Sequence, residues 1–176
     1  MAVEGEDAYL VALAQEGHLD AFEQLLHRHN LAAYRVALRM LGDDEDAQEV
    51  AREALVLAWR TLSQFTGNTS FVIWLYTIVT RATLDRLARG RSERTAQSHP
   101  TPTADEVAGG PSDIASAITA LPPAQRIVLV LHHFEGLPYT DVATITGSTV
   151  PDTRRLLFRA RRTLAATLGQ WEVAAQ

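Results

Sequence analysis

"LPYTDVATITGSTVPDTRRLLFRARRTL", residues 137–164, is the stretch whose reading decides the fold. Its first part, "LPYTDVATITG", predicts a short helix closed by Gly147. A longer helix follows, with Pro151 near its start, where the missing N–H is one the helix leaves unpaired anyway. On a helical wheel Thr153, Leu156, Leu157, Ala160, Leu164 and Leu168 share one face. Arg155, Phe158, Arg159 and Arg162 take the opposite face, with Asp152 beside them and Arg154 and Arg161 on the flanks. A short helix, a glycine-containing turn and an amphipathic helix with a basic outer face make a helix-turn-helix pattern. The second helix of such a pair lies in the DNA major groove, where arginine fits guanine or phosphate through two parallel N–H bonds.

The rest of the chain makes that basic face unusual. The formal net charge is −5, and all 16 basic residues are arginine. Five of them (Arg154, Arg155, Arg159, Arg161, Arg162) lie in this helix and five more (Arg81, Arg86, Arg89, Arg91, Arg94) in one other short window. An acidic body with two basic patches points to a polyanionic partner. The chain has no cysteine, which excludes a disulfide framework, a cysteine-held zinc and thiol chemistry. The start "MAVEGEDAYL" lacks the basic and apolar regions of a signal peptide, and no apolar run is long enough for a membrane span, so a soluble cytoplasmic protein is expected.

Upstream, residues 6–90 predict helices. Apolar residues recur at helical spacing in "DAFEQLLHRHNLAAYRVALRML": Phe22, Leu25, Leu26, Leu31, Tyr34, Val36, Ala37, Met40. "GDDEDAQEVAREALVLAW" starts a new helix after Gly42, with acids in the first turn where the helix dipole favours them, and with a stripe of Ala47, Val50, Ala51, Ala54, Leu57 and Ala58. "QFTGNTS" predicts a loop and "FVIWLYTIVTRATLDRLARG" a further helix. Residues 95–113, rich in Pro, Gly, Ser and Thr, predict a flexible linker. A second helical block then opens with "ALPPAQRIVLVLHHFEG", its prolines at a helix start. The expectation is an all-α chain of two small helical domains, 1–94 and 114–176, joined by the linker. Residues 1–18 and the tail "GQWEVAAQ" carry no interpretable signal.

Residues 120–164 resemble the C-terminal promoter-reading domain of bacterial extracytoplasmic-function (ECF) sigma factors. "DAQEVAREALVLAWRTLSQFTGN" and "SFVIWLYTIVTRATLDRLARGR" resemble the core of their N-terminal domain. The resemblance covers roughly 20–90 and 114–168, in the family order. It implies an alternative sigma factor that binds core RNA polymerase, recognises a promoter and helps to open it, with core polymerase and promoter DNA as partners and room for an anti-sigma factor. It implies no cofactor and no enzymatic activity.

Three sites follow. Glu49, Arg52, Glu53 and Val56 share an exposed face at helical spacing opposite the alanine-rich stripe. The resemblance assigns that face to the polymerase's largest subunit, although the family's usual Asp-x-x-Gln-Glu here runs Glu49-Val-Ala-Arg52-Glu53. Phe65 lies in the loop, and Trp74 and Arg81 lie on one face of the following helix with Tyr76 close in sequence. Aromatic rings hold an unstacked base at roughly 1–3 kcal/mol per base, and the resemblance makes these residues the surroundings of a flipped minus-ten base. Arg81 stands where the family usually has Asn, so it only donates hydrogen bonds where Asn would also accept. Arg86, Arg89, Arg91 and Arg94 suit phosphates of the duplex just upstream. The third site is the face of Asp152, Arg154, Arg155, Phe158, Arg159 and Arg162, which would read the minus-thirty-five element. Asp152 and Leu156 replace the family's usual Thr and Arg, which predicts an unusual preference. Asp152 either accepts from cytosine N4 or caps the helix, and capping fits its position better.

Energy requires a partner for the melting step. Opening on the order of ten base pairs costs roughly 14 kcal/mol at about 1.4 kcal/mol per step, which one or two captured bases do not offset. A linker over 95–113 reaches at most ~60 Å, and at about 3.4 Å per base pair that separates two readers by well over a helical turn. Two other functions fit part of the sequence. A helix-turn-helix regulator acting without polymerase explains 122–168 but leaves 43–81 idle. A degenerate sigma-like protein that docks but does not initiate accommodates the departures at Arg52, Arg81, Asp152 and Leu156. His132 and His133 are adjacent and diverge on a helix, a poor metal pair.

Overall fold

A computed structural model describes residues 2–96 and 114–174. Every regular element among them is helical. The first unit contains α1 (Ala2–Gln15), α2 (Leu19–Leu41), α3 (Asp44–Thr61), a 3₁₀ turn (Leu62–Gln64) and α4 (Phe71–Ala96). The second contains α5 (Ile114–Thr119), α6 (Pro123–Leu129), a wider π turn (Val130–Phe134), α7 (Tyr139–Thr146) and α8 (Val150–Ala174). The all-α expectation holds, and so do the helix-turn-helix and the pair of helical units. Helix α4 runs two residues into the stretch expected to be linker, and residues 97–113 lie outside the described residues.

Local chemistry explains the boundaries. Gly42 ends α2 in a left-handed conformation (φ 76°), its N–H donating to Leu38 O. Asp43 then caps α3 by accepting from Asp46 N at 2.9 Å. Pro122 and Pro123 open α6, and Gly147 (φ 62°) closes α7. Thr149 caps α8, accepting from Asp152 N at 3.2 Å while its hydroxyl donates to the Asp152 carboxylate at 2.7 Å. Asp152 is thus the acidic partner of a capping pair.

Helices α2, α3 and α4 pack on one another, and α1 packs mainly on α2. In the second unit α6, α7 and α8 form the triangle of the helix-turn-helix, with Leu157, Ala160 and Thr153 of α8 buried against it. The two units share a core. Buried side chains from Leu10 of α1 to Ala160 of α8 belong to one cluster, and α4 packs directly on α7.

Candidate nucleic-acid interface

Helix α3 is a ridge between two grooves. Its stripe of Ala47, Val50, Ala51, Ala54 and Ala58 is buried, as the periodicity predicts, but Leu57 is 46% exposed. Glu49, Arg52, Glu53 and Val56 are all exposed along the ridge. Arg52 and Val56 overlook a groove of about 670 Å³ between α2 and α3, floored by Phe22, Leu26, Leu31 and Trp59. Leu31 is 57% exposed there, so this part of the predicted α2 stripe faces the groove instead of the core. Glu53 and Leu57 overlook the opposite groove, about 710 Å³, between α3 and α4. Its other wall carries Trp74, Thr77, Arg81 and Arg89.

Phe65, Phe71 and Trp74 form an aromatic cluster at the end of this second groove. The Phe65 ring centroid lies 5.2 Å from Trp74 and 6.2 Å from Phe71, the latter edge-on. Trp74 and Phe65 are only partly buried, which leaves ring surface for a base to stack on. Tyr76 does not join them. Two residues after Trp74, it points to the other side of α4 and is buried. Its hydroxyl donates to Glu135 Oε2 at 2.9 Å. Burial first, and then that hydrogen bond, push the Tyr76 phenol far above its ordinary pKa.

The arginines of α4 divide. Arg81 and Arg89 are exposed on the α3–α4 groove. Arg86 turns back onto α3, bonding Asp46 and lying 3.6 Å from Glu49, so one residue of the acidic ridge is partly neutralised by the basic window. Arg91 and Arg94 fall in the last turns of α4, and their side chains lie outside the described residues.

On α8 the outer face stands clear of the core. Arg155, Arg159 and Arg162 are exposed and Phe158 is 62% exposed between them. Arg162 lies over the Phe158 ring at 5.9 Å. Arg155 bonds the capping carboxylate of Asp152. Arg154 leans over Tyr139 at 5.2 Å, and Tyr139 stacks on His132 at 4.4 Å. The His132 Nδ1–H donates to Leu137 O at 2.8 Å, which gives that histidine a structural task. Among the described residues no group of three or more His, Cys, Asp or Glu could hold a metal ion, and no helix is long and apolar enough to cross a membrane.

The contact between the units rests on residues that sequence reasoning missed. The buried guanidinium of Arg126 bonds Met40 O at the end of α2, Thr119 O at the end of α5 and, at 2.9 Å, Leu121 O. A cation at carbonyls of two helix C-termini satisfies acceptors that the helices leave free. Gly136 (φ 69°) closes the π turn, which places Glu135 between Tyr76 and Arg39, the latter at 3.4 Å. Arg39 also covers the Phe134 ring at 4.5 Å. Gly42 is the third support: a Cβ there would lie 2.7 Å from Thr119 Cγ2. No local signal marks Arg126 or Glu135 as special. The proline-led start of α6 was legible, but Met40 and Tyr76, the partners that join the two units, lie far away in sequence.

Residues 25–93 match the family described as Sigma-70 region 2, and residues 112–164 match Sigma-70, region 4. The RNA polymerase sigma-H factor of Pseudomonas aeruginosa is 32% identical over 96% of this chain and 96% of its own length. The ECF RNA polymerase sigma factor SigM of Mycobacterium tuberculosis is 33% identical over 94% of this chain and 86% of its own. The chain belongs to the ECF sigma factors. Solved structures agree with this ECF fold. The structure of CnrH in complex with the cytosolic domain of CnrY gives a TM-score of 0.73 at 27% identity, covering 94% of this chain and 98% of that one. The sigma factor RpoE of Bartonella quintana, in complex with the anti-sigma factor NepR, gives 0.68 at 23% identity over 84% and 96%, a likeness of fold. This sigma factor therefore directs transcription initiation as an alternative to other sigma factors, and sigma factors are initiation factors without an enzymatic activity of their own.

Proposed function

We propose that the chain works in the cytoplasm as a two-point promoter reader on core RNA polymerase. Residues 1–94 form the docking and melting unit, 95–113 the tether and 114–176 the upstream reader. The ridge of Glu49, Arg52, Glu53 and Val56 docks on the polymerase. Phe65 and Trp74 hold an unstacked minus-ten base, with Arg81 at its edge and Arg89, Arg91 and Arg94 on flanking phosphates. Arg154, Arg155, Arg159 and Arg162 meet the minus-thirty-five major groove, Phe158 makes apolar contact there, and Asp152 orients Arg155. The observation that supports this reading is the α3–α4 groove, where the partly exposed Trp74 ring, packed on Phe65 at 5.2 Å, and the exposed Arg81 and Arg89 line one wall opposite Glu53 of the acidic ridge. Tyr76 and Arg86 are occupied within the closed molecule, and Tyr76 becomes available to DNA when the two units separate. An anti-sigma factor is a further partner, as RpoE of Bartonella quintana is bound by one.

The test is transcription by sigma-free core polymerase of the same host, supplemented with the purified chain on genomic DNA and followed by sequencing of transcript starts. Discrete new starts, lost with Trp74→Ala or Arg155→Ala, are expected. Stable core binding without starts would mean a chain that docks but does not initiate. Specific duplex binding without core binding would leave a helix-turn-helix regulator.

A further inference from the structure

We propose that Gln15, the last residue of α1, is a positioning residue for base capture, holding the turn that presents Phe65. The inference rests on the proposed role of Phe65 in minus-ten recognition. The Gln15 amide spends its two N–H donors on two carbonyls of that turn, Leu62 O and Phe65 O, each at 2.9 Å. Leu62 O also accepts from Phe65 N at 3.0 Å, so one side chain ties both ends of the 3₁₀ turn. Among the described residues no other side chain bonds the backbone of 62–69. Beyond the tie the chain runs through Thr66, Gly67, Asn68 and Thr69, all exposed, before Ser70 leads into α4 at Phe71.

Helix α1 is itself anchored beneath the aromatic cluster. Leu10, Val11 and Ala14 are buried. Asp7 bonds His29 Nε2 at 2.7 Å, and the His29 ring lies 5.5 Å from Phe71. The route from α1 to the base-stacking rings is therefore continuous: Asp7 and His29 set Phe71, while Gln15 sets Phe65 against Phe71 and Trp74. Gln15 is exposed, so its hydrogen bonds add little to global stability. They fix one loop conformer instead. A platform already in place binds a base without the cost of ordering the loop.

The experiment uses the holoenzyme, the full chain on core polymerase, and a fluorescent single-stranded oligonucleotide carrying the non-template minus-ten sequence found by transcript mapping. Gln15→Met keeps the length and apolar stem but removes both donors. Binding should weaken about three- to tenfold, the range of one or two exposed hydrogen bonds. The double variant Gln15→Met with Phe65→Ala should bind no worse than Phe65→Ala alone. Core affinity and thermal midpoint should stay at the wild-type values. Losses that multiply, a wild-type Gln15→Met beside an impaired Phe65→Ala, or a fall in stability and core affinity matching the loss in DNA binding would each overturn the positioning role. A Phe65→Ala variant that binds normally would overturn the underlying role of the loop as well.

Discussion

Replacing Glu135 with alanine should open the contact between the two units. The Glu135 side chain is 6% exposed, accepts the Tyr76 hydroxyl at 2.9 Å and faces Arg39 at 3.4 Å. A buried hydrogen bond to a carboxylate contributes about 1.5–3 kcal/mol. Arg39 is 30% exposed, so solvent screens its ion pair, which adds less than about 1 kcal/mol. When the units part, both the Tyr76 hydroxyl and Arg39 reach water, so the loss falls on the closed state alone. The closed-to-open ratio should drop by about 2–3 kcal/mol, roughly 30- to 150-fold. Because the chain has no cysteine, Ser63→Cys and Ala165→Cys, both at exposed positions, give a clean pair for dye labelling. Energy transfer between the dyes should fall in Glu135→Ala. It should fall less in Glu135→Gln, which still accepts from Tyr76 but loses the charge opposite Arg39. Unchanged transfer in Glu135→Ala, with helical content intact, would refute the claim that this carboxylate holds the units together. The opening bears on the proposed function, because α4 and α8 sit on units packed together here, and a two-point reader of elements more than one helical turn apart would have to separate them.

Two further outcomes follow from the same contact. Tyr76, one of four tyrosines, should be the last to ionise in an ultraviolet titration, and in Glu135→Ala it should return toward its ordinary value of 10.0. Since its pKa is raised on folding, the neutral phenol's contribution to stability is complete below pH 10.0 and is lost as pH rises beyond that; stability that is flat across this range would contradict the buried placement. Gly42→Ala should lower the thermal stability by about 1–2 kcal/mol for the left-handed backbone alone, with more lost to the contact of its Cβ with Thr119 Cγ2 at 2.7 Å. Adding Thr119→Ser, which removes that methyl, should restore the second part only; no recovery in calorimetry would show that Thr119 does not press on this position.

The helix-turn-helix was legible because α8 has a single buried stripe. Thr153, Leu157 and Ala160 recur at helical spacing, and one face of a helix meets one neighbour. The same reasoning was less complete for α2 and α3. Leu31 and Leu57 continue apolar stripes yet line open grooves, since periodicity reports which side is apolar and not whether another helix covers it. Tyr76 was grouped with Trp74 on the family resemblance; residues two apart leave a helix on opposite sides, and only the position of the π turn showed that this second side meets Glu135. Residues 1–18 offered no signal because the tasks of Asp7 and Gln15 lie in contacts with His29, Leu62 and Phe65, remote along the chain.

The sequence by itself determined the helices after α1, the glycines that end α2 and α7, the two basic windows and the family, because each rests on short-range spacing: a helix repeat, a proline at a helix start, a glycine at a left-handed turn. Tertiary structure decided which apolar residues remain open, which arginines stay exposed and which turn back, as Arg86 does onto Asp46. It also decided that the two units close on Arg126 and Glu135. These are questions of which surfaces meet, and a buried arginine or glutamate acquires its role only when a distant helix end supplies the carbonyls or the hydroxyl that make its burial favourable.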